Sequence, residues 1–274
     1  SASIAGKGGP DRRTRTAVGL IVIVTVVLPV LLLGLLVWQH DRVATWAVSH
    51  IPVEQETQLG EVVFAQHKAG LKLVEGPALE MVRELGDKLT QGSRYRYQFH
   101  VAQNASVNAF AMPGGFVVVH TGLIALADSP EEVAGVLAHE VQHVEQRHSL
   151  RAMAQSLGLS AVLSLLLGDT SGLAALGGNL LNLKFSRDHE TEADREGLKA
   201  LVAANIVPAG MRDFFAKMAK QSKLDLGFLS THPASDERMA EMDRMIKALP
   251  ETARQAPALS YDFAAVKAAF GQSQ

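Results

Sequence analysis

His139-Glu140-Val141-Gln142-His143 is the stretch whose reading decides this chain. On a helix, side chains at i and i+4 leave the same face, so the two imidazoles can converge on one metal ion with the carboxylate beside them. That is the pattern of a zinc hydrolase, with two imidazoles to grip the ion and an acid within reach of a water. Two structural histidines on a core helix are the alternative, and they leave the intervening acid unexplained. Upstream, Ser129-Pro130-Glu131-Glu132 has the form of a helix start, with Ser129 as N-cap, Pro130 at the first helical position and Glu132 closing a capping box. Val133, Val136 and Leu137 then recur at helical spacing, which puts His139 and His143 on or beside a partly buried stripe.

A catalytic zinc keeps three protein ligands and one open position, so a further ligand must come from elsewhere. Ser186-Arg187-Asp188-His189-Glu190-Thr191-Glu192-Ala193-Asp194 is the source the sequence offers. Glu190 and Asp194 are again i and i+4, so one can coordinate while the other accepts a hydrogen bond from a ligand histidine. His189 is the rival for the ligand position. Glu192 and Glu196 point to other sides of the helix and read as solvated charges.

In these motifs, together with Asn108-Ala109-Phe110-Ala111-Met112-Pro113-Gly114-Gly115 and Thr231-His232-Pro233, the sequence resembles a family of membrane-associated zinc metallopeptidases. These are the HtpX-type and CAAX-prenyl-protease-type enzymes, gluzincins that include the mitochondrial overlapping-activity protease. The similarity spans roughly residues 50 to 250. It implies a zincin-like metallopeptidase domain with one Zn2+ per chain held by His139, His143 and Glu190. It also implies Glu140 as general base, Asp194 orienting a ligand histidine, and His232 near the metal. The function it implies is endopeptidase action on misfolded or envelope proteins, in quality control.

His232 by itself leaves two readings open. It can cap the helix signalled by Ser235-Asp236-Glu237, or it can be a catalytic group that donates to the oxyanion or approaches the zinc. Around Asn108, the alternation of Tyr97, Phe99 and Val101, then of Phe110 and Met112, followed by Pro113-Gly114-Gly115 and Phe116-Val117-Val118-Val119, predicts a small antiparallel sheet. An edge formed by Asn108, Ala109, Phe110, Ala111, Met112, Pro113 and Gly114 could hold a polypeptide substrate in extended form by strand addition. An ordinary hairpin with a Gly-rich turn fits the same residues. His40, His50, His67, His100, His120 and His148 read as structural or surface groups.

Val18 to Trp38 is an apolar run without a charged side chain, long enough for one helix of about 30 Å across a bilayer. Lys7, Arg12, Arg13 and Arg15 precede it and only Arg42 closely follows, so the positive-inside rule predicts a cytoplasmic N-terminus and a catalytic domain on the far side. In a bacterium that is a single-pass inner-membrane protein facing the periplasm, with the lipid bilayer as a partner. The expected division is a linker or tail over 1–16, a transmembrane anchor over 17–38, the metallopeptidase domain over 39–250 and a packed extension over 251–274. The first residues are Ser-Ala-Ser, compatible with a fragment. Leu157 to Leu183 is a second apolar stretch, divided by Asp169 and glycines, and is read as a non-spanning hairpin.

The fold class expected is α+β, mainly helical, with a small antiparallel sheet and one preceding transmembrane helix. A net charge of −2 and few aromatics argue against nucleic acid as a partner. Zero cysteines exclude disulfides, thiol catalysis and cysteine zinc ligands. Oligomeric state is not legible. Two other classes share these features: a tethered chaperone or assembly factor with a latent zinc site, and a zinc amidase acting on cell-wall peptides.

Overall fold

The helix Pro130–Glu145 is the axis of the fold, and every residue from Glu132 to Val144 within it is buried. A helix apolar on one stripe only could not be enclosed in this way. Here the small residues Ala134, Gly135 and Ala138 let neighbours approach, and the polar residues of the motif face a shared polar centre. In the computed structural model, which describes residues 12–38, 40–167, 184–220, 227–233 and 235–271, this motif helix packs against the helices Arg187–Ala203, Ala209–Lys220 and Pro77–Leu89 and against a sheet. Its N-cap is Ser129, whose hydroxyl accepts from Glu132 N at 3.4 Å. Glu132 does not close the expected capping box on Ser129. Its carboxylate accepts from Asp128 N at 2.8 Å and pairs with Lys217 at 2.6 Å, tying the helix start to Ala209–Lys220.

The chain divides into two units between Trp46 and Ala47. The first corrects the expectation of a transmembrane anchor over 17–38. Its apolar run consists of a helix Arg12–Val22, a π-helical stretch Ile23–Val27 and a helix Leu28–Trp38. Pro29 supplies the reason: it has no N–H, and its ring crowds the carbonyl of Thr25 four residues back. The ladder widens in response, with Leu28 N–H bonded to Ile23 O and the Thr25 hydroxyl donating to Ile21 O at 2.7 Å. Each 11-residue helix is about 17 Å long against a hydrocarbon core of about 30 Å. Among the described residues no helix is both long and apolar enough to cross a membrane. The lipid bilayer as a partner and the single-pass inner-membrane placement with a periplasmic catalytic domain fall with the anchor.

In the second unit the strands are β1 (Leu73–Val74), β2 (Gln98–Ala102), β3 (Ala109–Met112) and β4 (Phe116–His120), in the order β1-β2-β4-β3. The sheet is mixed, which corrects the expected antiparallel one: β1–β2 and β3–β4 are antiparallel, but β2 and β4 run parallel from Gln98↔Phe116 to Ala102↔His120. The link after β2 explains this. Asn104 is pinned to the start of the helix Thr121–Leu126, its carbonyl accepting from the Thr121 hydroxyl at 3.0 Å and from Gly122 N at 2.8 Å. The chain therefore passes over the slot beside β2, lays β3 at the edge, and turns back through Pro113-Gly114-Gly115 to fill the slot with β4.

That turn is held by the helix Val53–Lys68. A Cβ on Gly60 would stand 1.9 Å from Pro113 O, and Gly114, at φ +76°, presses its Cα side against the Thr57 backbone. Gly60→Ala should therefore destabilise the domain by about 1–3 kcal/mol, as overpacking does, lowering the urea midpoint at unchanged slope. A wild-type midpoint would contradict this contact.

Arg147, just past the motif helix, is left-handed at φ 56°. Its buried guanidinium donates from Nη1 to Val48 O at 2.7 Å and Ile51 O at 2.8 Å, and from Nε to Tyr95 Oη at 3.1 Å, with Glu56 Oε2 also 3.1 Å away. These contacts hold the bend from which the helix His148–Leu157 starts. Leu159–Leu166 follows after Gly158. The remainder of the apolar stretch, residues 168–183, lies outside the described residues, as does most of the expected 1–16 linker. The helices Asp236–Ala248, Glu251–Arg254 and Phe263–Gly271 complete the unit.

Candidate metal centre

Three separate elements bring four donors to one point. The motif helix supplies His139 and His143. The helix Arg187–Ala203, started by Ser186 accepting from His189 N at 3.2 Å, supplies Glu190. The short helix Gly227–Thr231 delivers His232, whose N–H bonds to Phe228 O at 2.8 Å. All four are buried. His139 Nε2 lies 3.0 Å from His143 Nε2, 3.2 Å from His232 Nδ1 and 3.5 Å from Glu190 Oε2. Glu190 Oε1 is 3.5 Å from His143 Nε2 and 3.0 Å from His232 Nδ1.

Tetrahedral zinc with bonds of roughly 2.0–2.1 Å sets its ligand atoms about 3.3 Å apart. The four donor atoms lie within 4.8 Å of one another, with the closest pairs on both sides of that spacing. Imidazole nitrogens with a carboxylate are the donor chemistry zinc prefers, and the set fits a single Zn2+. Glu140 adds an independent sign. It is buried, and its Oε1 has no hydrogen-bond partner among the described residues, with His232 Nε2 3.5 Å away. A buried carboxylate oxygen with a free lone pair facing the donor cluster is suited to accept a proton there.

The electrostatics are organised around negative charge. Burial pushes His139 down, but hydrogen bonds to Asp194 and Glu190 outweigh it and lift the ring to about 9. Burial alone would raise Glu190, yet His232 and His139 hold it well below the usual carboxylate range. Asp194, likewise opposed by burial, is held low by Arg238 and His139. The same field attracts a divalent cation.

Asp194 Oδ1 sits 3.0 Å from His139 Nδ1, on the far side of the ring from the donor cluster. Sequence reasoning missed Arg238, which grips both acids: Nε to Asp194 Oδ2 at 2.6 Å, Nη2 to Asp194 Oδ1 at 2.8 Å and Nη1 to Glu190 Oε2 at 2.7 Å. It also missed His148, which is fully buried with Nδ1 2.9 Å from His143 Nδ1. Glu192, expected as a solvated charge, is only partly exposed and pairs with His148 and Arg151. His189 stacks on His148 at 4.6 Å and stands outside the donor set. Phe185 stacks on His143 at 4.1 Å.

The edge strand lies beside the acid. Asn108 O accepts from His120 N, so the alternate residues Phe110 and Met112 also bond toward β4, and Ala109 and Ala111 turn their main-chain groups away from it; Val107 O on that side is taken by Phe228 N, Ala109 is fully buried and Ala111 is half-buried. The Ala111 main-chain amide acts on the Glu140 carboxyl in the opposite direction to burial, lowering it. Asn108 and Phe110 are half-buried, while Met112, Pro113 and Gly114 are buried under the helix Val53–Lys68.

The sequence model of peptidase family M48 matches residues 75–246. The beta-barrel assembly-enhancing protease of Yersinia pestis is 32% identical over 220 residues, covering 73% of this chain and 45% of that protein. The mitochondrial metalloendopeptidase OMA1 of Schizosaccharomyces pombe is 32% identical over 161 residues, 56% of this chain and 48% of its own length. Metalloprotease LoiP of Escherichia coli is 34% identical over 171 residues, 59% of this chain and 66% of its own. The chain thus spans about half the length of the first two relatives. The similarity runs at the level of the family and does not single out an HtpX or CAAX-protease subtype.

Proposed function

This chain belongs to peptidase family M48, whose zinc-dependent endopeptidase residues it carries, and from that premise we propose that it cleaves unfolded polypeptides bound in extended form, in a protein quality-control role. The observation that carries the reading is the convergence of His139, His143 and Glu190 beside the free carboxylate oxygen of Glu140.

When bound, zinc supplies a Lewis acid that makes water a usable nucleophile and polarises the scissile carbonyl. The protein's own residues do the rest. Burial raises Glu140 above the usual carboxylate range, so it can take a proton from the attacking water and hand it to the leaving amine. At Ala111, the half-buried residue on the outward side of β3, the main chain can pair with a substrate strand, giving affinity largely independent of sequence. Main-chain pairing of this kind favours segments that have failed to fold, consistent with the assembly-related name of one relative. Asp194 fixes the His139 tautomer by accepting from Nδ1–H.

His232 favours a latent resting state. With its Nδ1 among the donors it would be a fourth protein ligand to a bound zinc, and cleavage would then require it to make room for the substrate. A non-cleaving assembly role draws on the same observation, and a cell-wall amidase would share the donors but not the use of the β3 edge.

The test is cleavage of casein and of peptidoglycan peptides by the purified chain, before and after chelation. Casein cleavage should disappear with chelator and return with one equivalent of Zn2+. Cleavage confined to peptidoglycan peptides would favour the amidase, and zinc binding without any hydrolysis would favour the assembly role.

A further inference from the structure

We propose that His148 is a positioning residue that sets the tautomer of the ligand His143, at the head of a relay running Arg151–Glu192–His148–His143. The inference rests on the zinc reading of the site and deepens it.

The relay follows from counting protons. His143 Nε2 faces the donor cluster, so its lone pair must be free there, and the single proton of the neutral ring belongs on Nδ1. That atom is 2.9 Å from His148 Nδ1, and two ring nitrogens so close share one proton, so His148 Nδ1 accepts. The proton of His148 is then on Nε2, which donates to Glu192 Oε2 at 3.0 Å. Glu192 Oε2 also accepts from Arg151 Nη1 at 2.7 Å. Arginine keeps its charge, so the far end of the relay has one polarity only. Each atom along it has a single consistent role, and reversing any proton would set donor against donor or turn a proton toward the metal position.

Packing fixes the rings in the planes the relay needs. Phe185 stacks on His143 at 26° between planes and His189 on His148 at 15°. Both relay imidazoles are buried, so water does not compete. They stand five positions apart along the chain, and the left-handed Arg147 between makes the contact possible by folding the start of the next helix back over His143. The two ligand histidines are therefore supported unequally: His139 leans directly on a carboxylate, whereas His143 reaches one through a second imidazole.

The experiment uses the full chain and measures zinc affinity by competition with a chromophoric chelator. Wild type must first bind one zinc; if it does not, the metal reading itself fails and the variants are not informative about His148. His148→Phe keeps a packed ring but removes the acceptor, and should weaken zinc binding by roughly 10–100-fold. His148→Gln, whose amide can both accept from His143 and donate to Glu192, should recover most of that loss. Glu192→Ala, changed at a partly exposed carboxylate, should weaken binding in the same direction and serves if His148→Phe does not fold. Long-range proton–nitrogen spectra of the zinc-loaded wild type should find the protons on His143 Nδ1 and His148 Nε2. Wild-type zinc affinity in folded His148→Phe, no weakening in Glu192→Ala, or a proton on His148 Nδ1 would each overturn the proposal.

Discussion

Glu140→Gln should lose casein cleavage by about 10²–10⁴-fold, the contribution of a positioned proton-transfer group, while still binding one equivalent of zinc. The amide retains the size of the acid, so the packing of the motif helix against β3 is kept. What it loses is the basic oxygen. Oε1 is without a partner among the described residues, and an amide cannot take a proton from water at neutral pH. Measured zinc content separates this outcome from a collapsed site. A variant with full metal and undiminished turnover would remove Glu140 from the chemistry.

The second large effect is expected at Arg238. Its guanidinium neutralises Asp194 and Glu190 together, with all three side chains buried. Arg238→Met keeps much of the stem but leaves two carboxylates close together and far from solvent. Removing one partner of a buried ion pair costs about 3–5 kcal/mol. For a domain of this size that lowers the melting temperature of the metal-free protein by roughly 10 °C. Zinc should narrow the gap, because a dication on Glu190 replaces part of the lost positive charge. Thermal denaturation of both proteins with and without zinc measures this, and equal melting temperatures without metal would show that the grip of Arg238 contributes little.

Arg238 also marks the limit of what the sequence discloses. His139, Glu140 and His143 are legible because helical geometry turns a spacing of four into a shared face, and Glu190 and Asp194 follow by the same rule. Arg238 lies 44 residues beyond Asp194 on another helix, and no local period announces that meeting. His148 escapes for a different reason: helical spacing would carry a fifth residue well around the axis from His143, and only the left-handed turn at Arg147 returns it. The sheet divides likewise. Alternation marks β2 and β3 as strands and a continuous apolar run marks β4, but which of them pair depends on where Asn104 is pinned, a contact to a helix that starts 17 residues later. Over Val18–Trp38 the composition is plainly apolar, yet continuity of the helical ladder depends on how the backbone accommodates Pro29, which hydropathy does not register.

The bend at Arg147 carries a practical consequence for anyone trimming this protein for expression. A version starting after Ile51 would remove the carbonyls of Val48 and Ile51, stranding the Nη1 donor that holds the arginine in its left-handed turn. The slack would arise four residues from His143, at the point where His148 folds back. A version starting at or before Ala47 spares both carbonyls, so a cut of only a few residues separates a taut centre from a loosened one.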